Sequence, residues 1–236
     1  MMTSAFYWSL VAGACTALGA FLLFFRRSWG NRSLSFFLGL AAGVMVAVVV
    51  FDMLPSAFVY SGFSKAVVGF VCGMVLLMAA DKKIMGPRNA EKSLVGLGYL
   101  VMLGIAVHDL PEGMAIAFGS EMKARTGMVI ALGIGIHNIP EGMAIAAPLL
   151  MGGVKKQKVL LQILLVGLIT PLGTILGDGM VHLLPGLLPA MLGLASGIMI
   201  YLVLFQLLPQ AKARDKSVRW GGFWLGMLII LTATYI

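Results

Sequence analysis

Long apolar runs broken by short clusters of charge set the pattern of this chain. Charge-free stretches cover Met1 to Phe25, Ser33 to Phe51, Val159 to Gly177, Gly179 to Ala211 and Trp220 to Ile236. Several approach or exceed the roughly 20 residues that a helix needs to cross a bilayer. Breaks at the charge clusters and at HLLPGLLP (182 to 189) predict eight helices, centred near residues 15, 43, 71, 107, 137, 169, 200 and 228. The first run has no basic leader and is followed directly by Arg26 and Arg27, so it is expected to be a retained span and not a signal peptide.

Composition agrees with lipid as the solvent. Of the 236 residues, 60% are hydrophobic and only 11% charged, with a mean hydropathy of +1.01, whereas soluble domains carry about 25% charged residues. The expected class is an all-α integral membrane protein with residues 1–236 forming a single polytopic transmembrane domain. Cys15 and Cys72 stand alone, without redox or metal-ligand spacing, and read as core or lipid-facing residues.

The distribution of basic residues changes the meaning of the formal net charge of +8. Arg26, Arg27 and Arg32 follow helix 1, and Lys82, Lys83, Arg88 and Lys92 follow helix 3. Lys155, Lys156 and Lys158 follow helix 5, and Lys212, Arg214, Lys216 and Arg219 follow helix 7. Fourteen of the 17 basic residues thus fall on one side, and only Lys65, Lys123 and Arg125 on the other. Basic residues near span ends are retained in the cytoplasm, so both termini are expected outside. The excess sets topology, and nucleic acid is not an expected partner.

The chain also repeats internally. Shifted by 154 residues, GLAAGVMVAVVVFDMLPSAF (39 to 58) aligns with GLASGIMIYLVLFQLLPQAK (193 to 212), with ten of twenty positions identical. The same shift pairs Gly13 with Gly167, Thr16 with Thr170 and Gly19 with Gly173. Helices 1 and 2 therefore recur as helices 6 and 7. Five helices separate the copies, an odd number, so they cross in opposite directions: an inverted repeat arranged as three, two and three helices. In transporters of this build the substrate site lies near the midplane at the repeat interface.

At that place stand two matching motifs, HDLPEGMAIA (108 to 117) and HNIPEGMAIA (137 to 146). His108 and Glu112 are four apart, as are His137 and Glu141, so each pair projects from one helix face. Two facing helices then offer two imidazoles and two carboxylates, a ligand set suited to zinc or ferrous iron. Pro111 and Pro140 donate no backbone hydrogen bond and free carbonyls at that depth, while Gly113 and Gly142 permit close approach. Asp109 and Asn138 follow each histidine and are expected in a second, oxygen-rich shell. Polar bonding between helices needs no ion. However, each ionisable group at mid-bilayer costs at least about 2.5 kcal/mol, and no Arg or Lys stands near the three carboxylates in sequence. Asp52 reads as a cation-attracting entrance or an interfacial aspartate. Asp178 and His182 read as interfacial groups before an auxiliary site, and the 17 Met residues as apolar packing.

With both HxxPEG copies in view, the chain resembles the Zrt/Irt-like (ZIP) family of metal transporters, in its short prokaryotic branch. The resemblance includes the Leu-Pro endings of helices 2 and 7 and the PLGTILG stretch of helix 6. It implies eight helices, outward termini, a binuclear centre between helices 4 and 5, and movement of zinc, iron, manganese or related ions through the cytoplasmic membrane toward the cytoplasm. By this resemblance His108, Glu112, His137 and Glu141 match the first metal site, and Asp109 and Asn138 match the second, with the glutamates bridging. Thr170 departs from a glutamate that is common before the Pro-Leu-Gly, and Gln206 and Gln210 replace acidic residues common near the end of helix 7. A second site without the helix 6 carboxylate is expected to bind more weakly. The ion is expected as transported substrate, with no prosthetic group. Pairing into a homodimer is left open, and an enzyme is not expected. An intramembrane metallopeptidase would need a His-Glu-x-x-His core, absent here. A proton-coupled carrier of an organic solute would leave the paired histidines unexplained.

Overall fold

The computed structural model describes residues 2–25, 30–59, 62–85 and 94–235; Arg26, Arg27, Arg88 and Lys92, used above to orient the chain, lie outside them. Among the described residues, seven helices are long and apolar enough to cross a membrane: α1 (Thr3–Phe24), α2 (Asn31–Phe58), α3 (Phe63–Lys83), α4 (Leu94–Met122), α5 (Ala124–Met151), α6 (Lys156–Leu183) and α7 (Leu188–Arg214). The eighth, α8 (Val218–Thr234), is apolar but shorter. Their order and centres follow the hydropathy pattern. No strand occurs among the described residues, as expected where each backbone polar group must be satisfied within its own segment.

Three of the spans are irregular. α6 is interrupted at Leu168, between the helical stretches Lys156–Gly167 and Ile169–Leu183. α2 passes through a π-helical turn at Val49–Met53 and α7 through another at Val203–Leu207. The two π-turns occupy equivalent positions under the shift that aligns helix 2 with helix 7. The HLLPGLLP interruption contains a short 3-10 turn, Pro185–Leu187, between α6 and α7.

Helix contacts reproduce the sequence repeat as a local two-fold axis. α1 packs on α5 as α6 packs on α4, and α2 packs on α8 as α7 packs on α3. Close approach through glycine fixes the register, since small residues let membrane helices bring their backbones together. Gly39 and Gly43 of α2 abut the carbonyls of Arg219 and Phe223 on α8, and Gly193 and Gly197 of α7 abut those of Ala66 and Phe70 on α3. In the other direction, Gly222 and Gly226 of α8 meet Phe36 and Leu40, while Gly69 and Gly73 of α3 meet Ala190 and Leu194. α3 and α8 are thus the third member of each repeat, in a register one residue shorter than the other two. The three, two and three arrangement assigns this pair to the repeats, helices 1–3 against 6–8, but the 154-residue shift does not align it, because the shared Gly69-Phe70 and Gly73-Met74 meet Gly222-Phe223 and Gly226-Met227 at a shift of 153.

Polar ties outside the centre also join helices far apart in sequence. Ser35 of α2 donates to the carbonyls of Ala211 (3.0 Å) and Asp215 (2.8 Å), pinning α2 to the end of α7. Asp215 accepts from the Ser217 hydroxyl (2.8 Å), the Ser217 N–H (3.0 Å) and the Val218 N–H (3.1 Å), and so caps the start of α8. Cys15 is half-buried and Cys72 exposed on the apolar surface.

Candidate metal centre

α4 and α5 continue as helices through Pro111 and Pro140. A proline carries no N–H, so the carbonyls of Val107 and Ile136 lose their usual helical donors within each motif. The six polar motif residues are brought to one buried level: His108, Asp109, Asn138 and Glu141 are wholly buried, Glu112 is 2% exposed and His137 3%.

The contacts between the motifs cross from one helix to the other. His108 Nε2 of α4 lies 3.2 Å from Glu141 Oε2 of α5, and His137 Nε2 of α5 lies 3.2 Å from both carboxylate oxygens of Glu112 on α4. Asp109 Oδ1 is 3.5 Å from His108 Nε2. One ligand atom each from His108, Asp109 and Glu112 fits within a 4.8 Å cluster, the one group of three or more such side chains among the described residues. His108 Nδ1 lies 3.1 Å from the carbonyl of Gly104. A carbonyl only accepts, so Nδ1 carries a proton and Nε2 points its remaining valence at the carboxylates. A second hydrogen bond of this kind orients metal-binding histidines generally.

Neighbouring helices wall this level from outside. The Thr16 carbonyl of α1 abuts Gly142, and the Thr170 carbonyl of α6 abuts Gly113, again as a two-fold pair. A side chain at either motif glycine would collide with that backbone. Asn138 Nδ2 donates to the Ala12 carbonyl (3.0 Å), and Thr174 donates to the Gly113 carbonyl (2.9 Å). Both oxygens of Asp109, Asn138 Oδ1, Glu141 Oε1 and the hydroxyls of Thr16 and Thr170 are buried without a hydrogen-bond partner among the described residues. Unpaired buried oxygens are costly and rare in folded proteins. Sequence reasoning gave α1 no part in the centre, although the Thr16/Thr170 alignment already marked its position.

A cavity of about 100 Å³ leads to this level from one side. Glu112 and His137 line its inner end, and Asp52 and Ser56, on the α2 π-turn and the turn after it, line it further out with Leu188 and Leu192 of α7. Asp52 therefore shares a cavity with the centre. His182, three-quarters exposed, approaches Glu121 at 3.9 Å; it forms no three-residue cluster with Asp178.

An inverted pair of three-helix units around two buried His/Glu helices defines a polytopic membrane transporter class, and comparison with known proteins gives the family. The sequence model described as ZIP zinc transporter matches residues 84–233. Zinc transporter ZupT of Escherichia fergusonii is 32% identical over 224 residues, covering 89% of this chain and 87% of that protein. ZupT of Stenotrophomonas maltophilia strain K279a is 34% identical over 231 residues, with 89% and 86% covered. ZupT of Escherichia coli O127:H6 is 32% identical over 226 residues, with 89% and 87% covered. The chain belongs to the ZIP family of metal transporters. It is accordingly a multi-pass membrane protein and a transporter, not an enzyme, and the metal is its cargo.

Proposed function

We propose that the whole chain acts as one transport unit that carries a divalent transition-metal ion, zinc first and iron or manganese as further substrates, across the cytoplasmic membrane toward the cytoplasm. His108, Glu112, His137 and Glu141 hold the ion, with Asp109 and Asn138 beside it. The observation that carries this is the crossed pair of 3.2 Å His–Glu separations. Zinc–nitrogen and zinc–oxygen bonds run about 2.0–2.2 Å, so neighbouring ligands of a tetrahedral ion lie about 3.3 Å apart. Buried imidazole lone pairs facing carboxylates are stable only with a cation or protons between them. The unpaired oxygens of Asp109, Asn138 and Glu141 support a second, weaker position for an ion beside the first.

Asp52 in the cavity supplies the approach, because a carboxylate in an apolar-walled cleft raises the local cation concentration. The fourteen-to-three split of basic residues supports termini on the outside and a cavity mouth facing outward. The test is ion uptake into reconstituted vesicles with Glu112→Ala and Glu141→Ala beside the parent. Uptake of zinc, iron and manganese at parental rates by both variants rules the central-site reading out. Uptake of an organic solute with no metal response favours the proton-coupled carrier instead.

A further inference from the structure

The open cavity has a two-fold mate that is shut. The axis relates Asp52 to Gln206, Val48 to Leu202, Ile134 to Ile105 and Leu192 to Leu38. Asp52 is exposed and lines the cavity. Beside it Val48 (2%), Ile134 (4%) and Leu192 (4%) keep a trace of exposure, whereas Gln206, Leu202, Ile105 and Leu38 keep none. The Asp52 half thus opens to solvent, and the mates of its lining residues on the other half do not reach it.

The two π-turns at the heart of this difference are tethered differently. Asp52 accepts a long hydrogen bond (3.4 Å) from Ser56 of its own helix. Gln206 donates through Nε2 to Asp81 Oδ2 of α3 at 2.6 Å, and the Tyr201 hydroxyl of α7 donates to the same oxygen at 2.9 Å. The two-fold counterparts of Asp81 and Tyr201 are Thr234 and Ala47; Ala47 has no donor, and Thr234 has no carboxylate to accept from two donors at once. Gln206 itself is required, because an aspartate like its mate Asp52 would repel Asp81 instead of donating to it. Hydrogen bonds to an ionised acceptor are stronger than neutral ones, and more so away from bulk water. A π-turn is the part of a helix whose spare residue lets it be re-registered, and such turns recur at functional sites.

We propose that Asp81 is a latch: a positioning residue that acts through Gln206 and Tyr201 to hold the α7 π-turn against α3, keeping the half-channel on that side shut while the Asp52 side is open. This rests on the reading that ions cross through the central site. The latch is made in the sealed conformer and broken when that half-channel opens. Thr234 and Ala47 leave the α2 side without one, so the sequence biases a symmetric scaffold toward the conformer seen here.

The test uses full-length protein in proteoliposomes, with Cys15→Ala and Cys72→Ala as background and a single cysteine introduced by Leu38→Cys on the sealed side or Leu192→Cys on the open side. Labelling by a membrane-impermeant maleimide is followed without added divalent ion, so the outcome is independent of transport and of the uptake test above. Asp81→Ala is expected to raise labelling at position 38 about tenfold or more and to lower it at position 192, since a hydrogen bond to a charged group is worth about a factor of ten in equilibrium. Asp81→Asn, whose amide oxygen still accepts from both donors, is expected to return most of the parental pattern. Tyr201→Phe, which removes one donor and keeps the ring, gives a smaller change in the same direction and carries the test if Asp81→Ala does not fold. Unchanged labelling at both positions overturns the latch, as does an equal rise at both.

Discussion

Gly13 of α1 and Gly167 of α6 meet backbone to backbone, so that a side chain on either would run into the carbonyl of the other. The contact is reciprocal because it lies on the two-fold axis. Gly13→Ala and Gly167→Ala are each expected to lower stability by about 1–3 kcal/mol or more, the cost of overpacking a tight interface. Gly30→Ala and Gly221→Ala, where no atom stands within 4 Å of an added Cβ, serve as controls. Thermal unfolding in detergent measures both sets, and equal melting temperatures across all four would show that the crossing tolerates separation.

The central quartet makes a prediction about the ion itself. Zinc added to purified protein at about 100 times its dissociation constant is expected to stabilise the fold by about 2.7 kcal/mol. If the proposed quartet holds the ion, removing one of its carboxylates by Glu112→Ala or Glu141→Ala is expected to cut zinc affinity by more than about 100-fold, beyond the usual effect of losing an outer-shell partner. Titration calorimetry reads the affinity and a melting scan reads the stabilisation.

Asp109 and Asn138 are two-fold mates that differ in charge, and only Asn138 has a donor to give its neighbour, the Ala12 carbonyl. Asn138→Asp places a carboxylate against that carbonyl. The ion-free variant is expected to melt below the parent and to gain more stability on adding zinc or manganese. A variant equally stable without metal would show that the Asn138 bond to α1 contributes nothing.

Much of this arrangement could be read from residues alone, and the reason lies in the solvent. Lipid demands continuous helices, so apolar runs between charge clusters and the HLLPGLLP break placed the spans, and the spacing of the HxxPEG copies put the six polar residues on two facing helices. The crossed pairing, His108 to Glu141 and His137 to Glu112, was not legible, because helical spacing fixes which face a side chain shares and not which partner it meets across an interface. Asp81 escaped notice for a related reason. It looks like one more charge at a helix end beside Lys82 and Lys83, and only the packing of α3 on α7 gives it Gln206 and Tyr201.

Asp52 yields a kinetic prediction. An exposed carboxylate at the mouth of an apolar cavity speeds capture of cations without holding them at the centre, so Asp52→Ala is expected to raise KM for zinc by up to about tenfold and leave kcat near the parental value. The effect should shrink at high salt. A fall in kcat with unchanged KM, measured by uptake at varied zinc concentration, would assign Asp52 to the translocation step instead.

At the outer edge of the bundle, Asp215 links α7 to α8. The Val218 N–H first, and the Ser217 hydroxyl and N–H with it, hold the Asp215 carboxyl below its ordinary value. A lowered folded value means that the stabilisation is present above the ordinary carboxylate range and is lost as pH falls through the lowered value. Asp215→Ala is expected to melt below the parent at neutral pH and to converge with it in strong acid. A gap that persists unchanged in acid would mean that the cap acts through something other than the ionised carboxylate.

The paired π-turns carry a consequence about where the two faces differ. Val49–Met53 and Val203–Leu207 fall at equivalent places in oppositely oriented copies, so each half holds its spare residue at the same depth, counted from opposite ends. Asp52 and Gln206 stand on that shared irregularity and differ only in side chain. Asymmetry in this bundle is therefore written in side chains around a common backbone, and exchanging a few of them between halves is a smaller change than rebuilding a helix.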